Sequence, residues 1–341
     1  MTTELIGGAS HLRNLPPGIR LRAGTVDDEF ASFEVMRRSF GSDIGWGTHA
    51  AIRHHLRESP GAAFFVAEEQ PRVGAARLVG YARSLVRDNH WMLTEFFLLP
   101  SWSGRGIGAA LLCACLGSAR TAHARFILAS EHPSADALYI RHARLLPRLP
   151  MLLFAGPLSS LANQWRPDRV ALSQADVKSG APLVAEPMVP DQHVLDALDV
   201  LDRGTLGYTR RPEHVFWMQE MGGPLGASRL FRDVTLPSSP IVAYGYIGPN
   251  ASGPVLAIGA AMQPDIVAAL CHRAQDGVRP HEGGQLVPIN DTHWAVAGTN
   301  EVMLQWLLGA GWRIGFQYLY MSSREAPHLD RYVCCTPLYV M

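Results

Sequence analysis

The stretch Phe96 to Leu112, FFLLPSWSGRGIGAALL, permits few backbone paths. An apolar, aromatic run ends at Pro100, alternate glycines follow at 104, 106 and 108, and an Ala/Leu run succeeds them. The first run suits a strand and the last a buried helix, so the glycines must turn the chain between them within a few residues. Glycine reaches positive φ at no steric cost and leaves no Cβ between the backbone and a ligand. Consecutive N–H groups in such a turn can point into one concavity, where the helix dipole adds positive potential. The spacing therefore predicts a diphosphate cradle over Ser103, Gly104, Arg105, Gly106, Ile107, Gly108 and Ala109, with the Arg105 cation at its rim.

Two other phosphate motifs fit less well. A Walker loop needs Gly-Lys-Ser/Thr, which does not occur. A dinucleotide fingerprint needs G-x-G-x-x-G near the start of a βαβ unit and an acid after the next strand. Glu131 imitates that acid, but the glycines run G-x-G-x-G and several strands precede them.

Length and charge narrow the class. The 341 residues suggest two domains. With 30 basic and 30 acidic side chains there is no overall field to attract nucleic acid or an anionic membrane. No apolar run reaches the roughly 18 residues of a spanning helix, and the N-terminus lacks a signal-peptide pattern. Five cysteines, at 113, 115, 271, 334 and 335, show no metal spacing. They read as reduced thiols of a cytoplasmic protein without a metal, either monomer or homodimer.

Periodicity then orders the chain. IRLRAG (19–24) reads as a strand, and two helices follow, one ending at Gly41 and one over THAAIRHHLRES. AFFVAEEQ, ARLVGYARSLV and HWMLTEFFLLP read as an antiparallel meander. After the glycine turn come a helix, the strand RFILAS, a helix over SADALYIRHARLL and the strand PMLLFAGPL. Residues 161–190 read as a linker. The second half repeats this order through DQHVLDALDVLDRG, ASRLFRDV, PIVAYGYIG, GPVLAIGAA, PDIVAALCHRAQ, GGQLVPI, NEVMLQWLLGAG and RYVCCTPLYVM.

On these residues the chain resembles the GCN5-related N-acetyltransferase (GNAT) family. That family's signature is a strand, often a Pro, then Arg/Gln-x-x-Gly-x-Gly/Ala, whose amides hold the pyrophosphate of acetyl-CoA. Pro100, Gly106 and Gly108 match it, while Ser103 replaces the Arg/Gln. A second family motif is met at Ala135, Leu138 and Tyr139, with His132 in place of its Asn. The resemblance implies an α/β (α+β) fold of two tandem GNAT-like domains, each a mixed, mostly antiparallel sheet flanked by helices. Its boundaries would be 1–160 for a catalytic domain and 191–341 for a degenerate one.

Acyl transfer to an amine needs an unprotonated amine, an oxyanion site and a protonated leaving thiolate. Glu95, flanked by Phe96, Phe97 and Trp91, is the expected general base, desolvated there, the other reading being a carboxylate satisfied by an arginine. By the resemblance, the amides of Phe97, Leu98 and Leu99 serve the oxyanion and Tyr139 is the general acid. Acceptor residues would be Asp43, Trp46 and His49, with His54 and His55 on the same helix, and the acceptor a small-molecule amine.

The second half keeps Asn300 but has Leu307 at the Tyr position and LAIGAAMQPD at the glycine loop, so the resemblance implies loss of acetyl-CoA binding there. Arg210, Arg211, Glu213 and Trp217 could be lent to substrate, and the Met341 carboxylate could act as a base. Two rival functions share the fold: an aminoacyl-tRNA-dependent transferase and a non-enzymatic acyl-CoA-binding module.

Overall fold

The computed structural model describes residues 15–40, 46–130, 132–178, 180–222, 228–247, 252–277 and 292–334. Among them no helix is long and apolar enough to cross a membrane. They form two compact units that do not follow chain order. One runs to Arg148 and takes in Tyr320–Glu325, and the other takes the remainder from Leu149.

In the first unit the sheet runs β1 (Ile19–Ala23), β2 (Ala63–Glu69), β3 (Arg77–Arg87), β4 (His90–Leu98), β5 (Ala124–Ser130). The first four strands are antiparallel and β5 is parallel to β4. Four helices accompany them: α1 (Glu29–Phe40), α2 (Trp46–Glu58), α3 (Ile107–Leu116) and α4 (Pro133–Leu138). Thr25 and Asp28 form a capping box on the 3-10 turn that leads into α1. The α3 helix stops earlier than its apolar run suggests, because Gly117 turns away at φ 35°. Phe33, Val35 and Met36 of α1 bury against Phe64, Val66 and Tyr81 of the sheet.

The second unit uses the end of β6 (Leu146–Gly156), then β7 (Val170–Ala171), β8 (Leu183–Pro187), β9 (Arg229–Asp233), β10 (Ile241–Ile247), β11 (Ser252–Ala257), β12 (Thr292–Ala297), the start of β13 (Arg313–Ser322) and β14 (Tyr332–Cys334). The order from β6 is β6-β12-β14-β11-β10-β9-β8-β7. The mixed α/β architecture expected from the sequence is thus present. The boundary at 160 is not where the units divide. β6 pairs with β12, from Met151↔Ala297 to Gly156↔Thr292, and so belongs to the second unit. The stretch read as a linker contributes β7, and β8, which pairs along its length with β9. The strand expected over GGQLVPI lies outside the described residues.

A fully buried polar group underlies the second unit. Asp202 accepts from Arg210 Nε at 2.9 Å and Nη2 at 3.0 Å, and lies 3.0 Å from His214 Nε2. Arg210 Nη1 donates to the Tyr332 hydroxyl at 2.7 Å. Arg210, Glu213 and Trp217 are therefore interior residues, and Arg211 is tied to Asp196 and Asp199. None is offered to a ligand.

Burial opposes ionisation of Asp202, but the charges of Arg210 and His214 outweigh it and hold the carboxyl well below the usual carboxylate range. A depressed carboxyl stabilises the fold above its unfolded pKa of about 3.9 and loses that contribution as pH falls through the folded value. Asp202→Asn should cost about 3–5 kcal/mol at neutral pH, since it strands a buried guanidinium. It should also flatten the acid dependence below about pH 4. Urea unfolding from pH 2 to 7 measures both.

Candidate functional site

The site begins with a register slip. On β4, Glu95 faces Arg83 but Leu93 faces Ser84, so Thr94 is an extra residue without a partner on β3. Such a bulge bends its strand. Beside it, β4 and β5 pair over only three residues, His90↔Ala124 to Met92↔Phe126. From Thr94 onward, β4 therefore has a backbone edge that β5 does not cover. The Thr94 hydroxyl is buried there without a hydrogen-bond partner among the described residues.

Strand alternation decides which amides face that edge. Leu99 N donates to Val79 O at 2.8 Å, so Leu99 and, two residues back, Phe97 point into the β3 ladder. A Cβ on Gly80 would indeed sit 3.0 Å from Phe97 O. Phe96 and Leu98 point the other way. The expectation of Phe97, Leu98 and Leu99 as oxyanion donors is corrected accordingly. The Phe97 and Leu99 amides are engaged in the sheet, and those of Phe96 and Leu98 face the open edge. Register with β3 was the missing information, because parity along a strand cannot be assigned until one hydrogen bond is known.

The open edge leads into the glycine turn. Pro100–Trp102 form a 3-10 turn, Gly104 has φ 74°, and Gly106 caps α3 with φ 81°. Nothing lies within 4 Å of a Cβ built on Gly104, while one on Gly108 would meet the Phe96 ring at 3.3 Å. Ser103 to Gly106 are exposed, Gly108 and Ala109 half-buried. The buried side chain of Ile107 belongs to the core, so this residue offers only its amide. The first amides of α3 have no acceptor within the helix. The Arg105 guanidinium lies over the Trp102 ring, 4.8 Å from its centroid. An uncovered strand edge, an orphaned hydroxyl and an open cradle of helix-start amides fit a pantetheine arm joined to a diphosphate.

Tyr139 follows α4 in a five-residue π turn, Tyr139–Ala143, that ends where Arg144 adopts φ 55°. π-type turns inside helices concentrate at functional positions. Its ring is buried, edge-on to Phe96 with centroids 5.8 Å apart. Phe96 thereby links the open edge, Gly108 and Tyr139. Burial, and then the Asp136 charge, push the phenol pKa up, so the hydroxyl keeps its proton at neutral pH.

Glu95 lies deeper. Its Oε1 accepts from Arg53 Nη1 at 2.8 Å and its Oε2 lies 3.0 Å from Arg83 Nε, the Arg53 and Glu95 side chains being 1% and 2% exposed. Arg53 also reaches Glu29 and Tyr81, and Arg83 reaches Glu29 at 2.6 Å. Of the two readings for Glu95, this arrangement matches the arginine-satisfied carboxylate. The network ties α1, α2, β3 and β4 together. Of the acceptor residues, Asp43 lies outside the described residues, as do the side chains of Trp46 and His49 on α2. The Met341 carboxylate is outside them too. His54 Nδ1 contacts Arg57 at 3.0 Å. Among the described residues, no three His, Cys, Asp or Glu side chains converge as a metal site.

Residues 60–142 match the model of the acetyltransferase (GNAT) domain. No curated protein matches the chain. Several solved structures resemble it over nearly its whole length. A putative acetyltransferase from Pyrococcus horikoshii superposes with a TM-score of 0.65 at 14% identity, covering 95% of this chain and 97% of that one. A GCN5-related N-acetyltransferase from Sphaerobacter thermophilus gives 0.58 at 15% identity, over 93% and 98%. A tandem GNAT protein from the clavulanic acid biosynthesis pathway gives 0.55 at 15% identity, over 89% and 98%. At these identities the likeness is one of fold.

Because Glu95 balances two buried guanidiniums, Glu95→Gln should lower stability by about 3 kcal/mol in urea unfolding. A carboxylate engaged only in proton transfer would leave the unfolding midpoint unchanged.

Proposed function

We propose that the chain is a member of the GNAT superfamily, whose domain model it matches over residues 60–142, and that its first unit transfers the acetyl group of acetyl-CoA to a primary amine of a small molecule. The observation that carries the reading is the β4 edge that β5 leaves uncovered, followed within a few residues by the exposed glycine turn that opens α3. Bound acetyl-CoA would supply an acyl group activated as a thioester.

Within this reading the amides of α3's first turn hold the diphosphate. The Phe96 and Leu98 amides hold the arm and polarise the carbonyl oxygen, on which negative charge grows as the amine adds. Tyr139, protonated at neutral pH, gives its proton to the departing sulfur. Glu95 takes no part in proton transfer, since both its oxygens serve Arg53 and Arg83. The amine's proton leaves to water, which makes the rate rise with pH as the free-amine fraction rises.

The second unit supports assigning one site per chain. There β14 runs between β11 and β12 and pairs with both, through Val255↔Val333 and Val296↔Val333. These two strands are, in element order, the counterparts of β4 and β5. Its turn lacks a left-handed glycine, Gly259 being extended at φ −139°, and Leu307 is buried in the core.

Calorimetric titration of acetyl-CoA into the whole chain should give micromolar affinity at a single site, weakened at least tenfold by Gly106→Asp. No binding to the wild type would overturn the reading and move the aminoacyl-tRNA alternative ahead. Tyr139→Phe should lower kcat by about a hundredfold in a free-thiol assay with an amine panel, with acetyl-CoA affinity within twofold of wild type. A non-catalytic acyl-CoA sensor would release no thiol with any amine.

A further inference from the structure

We propose that the first unit carries a second anion site, at the end of its sheet remote from the glycine turn, that binds a phosphorylated small molecule through Arg125, Arg144 and Arg324. Three separate segments bring these cations together. Arg125 is the second residue of β5, Arg144 ends the π turn after Tyr139, and Arg324 lies in the Tyr320–Glu325 segment of the same unit.

Backbone contacts fix the cluster. Arg125 Nε donates to Ala143 O at 3.1 Å and Nη1 to Arg120 O at 2.8 Å. Arg324 Nε donates to His123 O at 3.0 Å. Ser323 and Arg125 are joined twice, Arg125 N donating to Ser323 Oγ at 2.9 Å and Ser323 N to Arg125 O at 2.9 Å. Each anchored guanidinium spends its bonds on carbonyls. Arg125 Nη2 and the terminal nitrogens of Arg324 have no acceptor among the described residues, and Arg144 has no hydrogen-bond or ion-pair partner there.

The electrostatics are one-sided. No carboxylate of the described residues lies within ion-pairing distance of Arg120, Arg125, Arg144 or Arg324, although acidic and basic residues are equal in number along the chain. The buried arginines elsewhere in this unit, Arg53 and Arg83, are each matched by carboxylates. Burial, with the like charges of Arg144 and Arg324, pushes the Arg125 pKa down. The fold thus tolerates a repulsion that one external dianion would relieve. Guanidinium forks suit phosphate oxygens through paired N–H donors.

The site is distinct from the glycine cradle. Arg125 pairs with Trp91 at the start of β4, and the cradle follows Leu98 at its end. At about 3.3 Å per residue these positions are about 20 Å apart.

The test is calorimetry with inorganic pyrophosphate on the full chain carrying Gly106→Asp, which removes the cradle from the titration. Binding should persist there and weaken at least tenfold on adding Arg144→Glu and Arg324→Glu, both exposed positions. The same two changes in the wild-type background should leave acetyl-CoA affinity within twofold. A charge-matched control, Arg20→Glu with Arg72→Glu, should weaken pyrophosphate by less than twofold. No binding in the Gly106→Asp chain, or equal weakening by the control pair, would overturn the site. Arg125 is left intact because its side chain also holds the Ala143 carbonyl.

Discussion

A strand edge that is kept open governs the first unit. Backbone N–H and C=O groups are obligatory hydrogen-bonding groups, and a sheet normally spends them on the neighbouring strand. Here the extra residue at Thr94 bends β4 after its third pairing with β5, and the groups beyond it are left for another partner. The other features follow from that bend. Phe96 and Leu98 face outward, Pro100 and the glycines carry the chain round, and α3 begins where the uncovered edge ends. The Glu29, Arg53, Arg83 and Glu95 network braces the far side of the bulge, so the strand bends without the layer beneath it giving way. Buried ion pairs of this kind contribute little net stability, yet removing one partner is costly, which makes them suited to fixing geometry.

The two units handle one problem in opposite ways. The second has the same succession of helices and strands, but its corresponding gap is filled by β14, which satisfies both neighbours. With the edge satisfied, the glycine turn has no function to preserve, and Gly259 there is extended and leads straight into a 3-10 turn. The polar interior under α5 (Gln192–Leu206) and its following helix, Arg211–Gly222, is anchored by Tyr332 of that same filling strand. Closing the cleft and building the buried Asp202–Arg210 centre are thus parts of one arrangement.

Much of this was legible in the sequence. The strand–glycine–helix pattern between Phe96 and Leu112 located the turn, and its positive φ values fell at Gly104 and Gly106, where a side chain would be strained. The motif singles out Tyr139, which is buried beside Phe96. Other properties depend on long-range pairing and could not be read locally. The facing of Phe97 and Leu99 is set by Val79, the state of Glu95 by arginines 42 and 12 residues away in sequence, and the β6–β12 pairing by residues from the other half. In β13 Ile314, Phe316, Tyr318 and Tyr320 alternate, but Gly315 interrupts the apolar signature and the first residues are exposed.

The allocation of Tyr320–Glu325 to the first unit has a consequence for synthesis. The strand beside β5 is made only after most of the second unit. At about 5–20 residues per second, translation needs on the order of 10–35 s to go from Arg148 to Glu325. Until then β5 presents a bare edge, a surface prone to pairing with other chains. The first unit therefore completes its fold only after that interval, which sets a demand on chaperones that a self-contained domain of this size would not make.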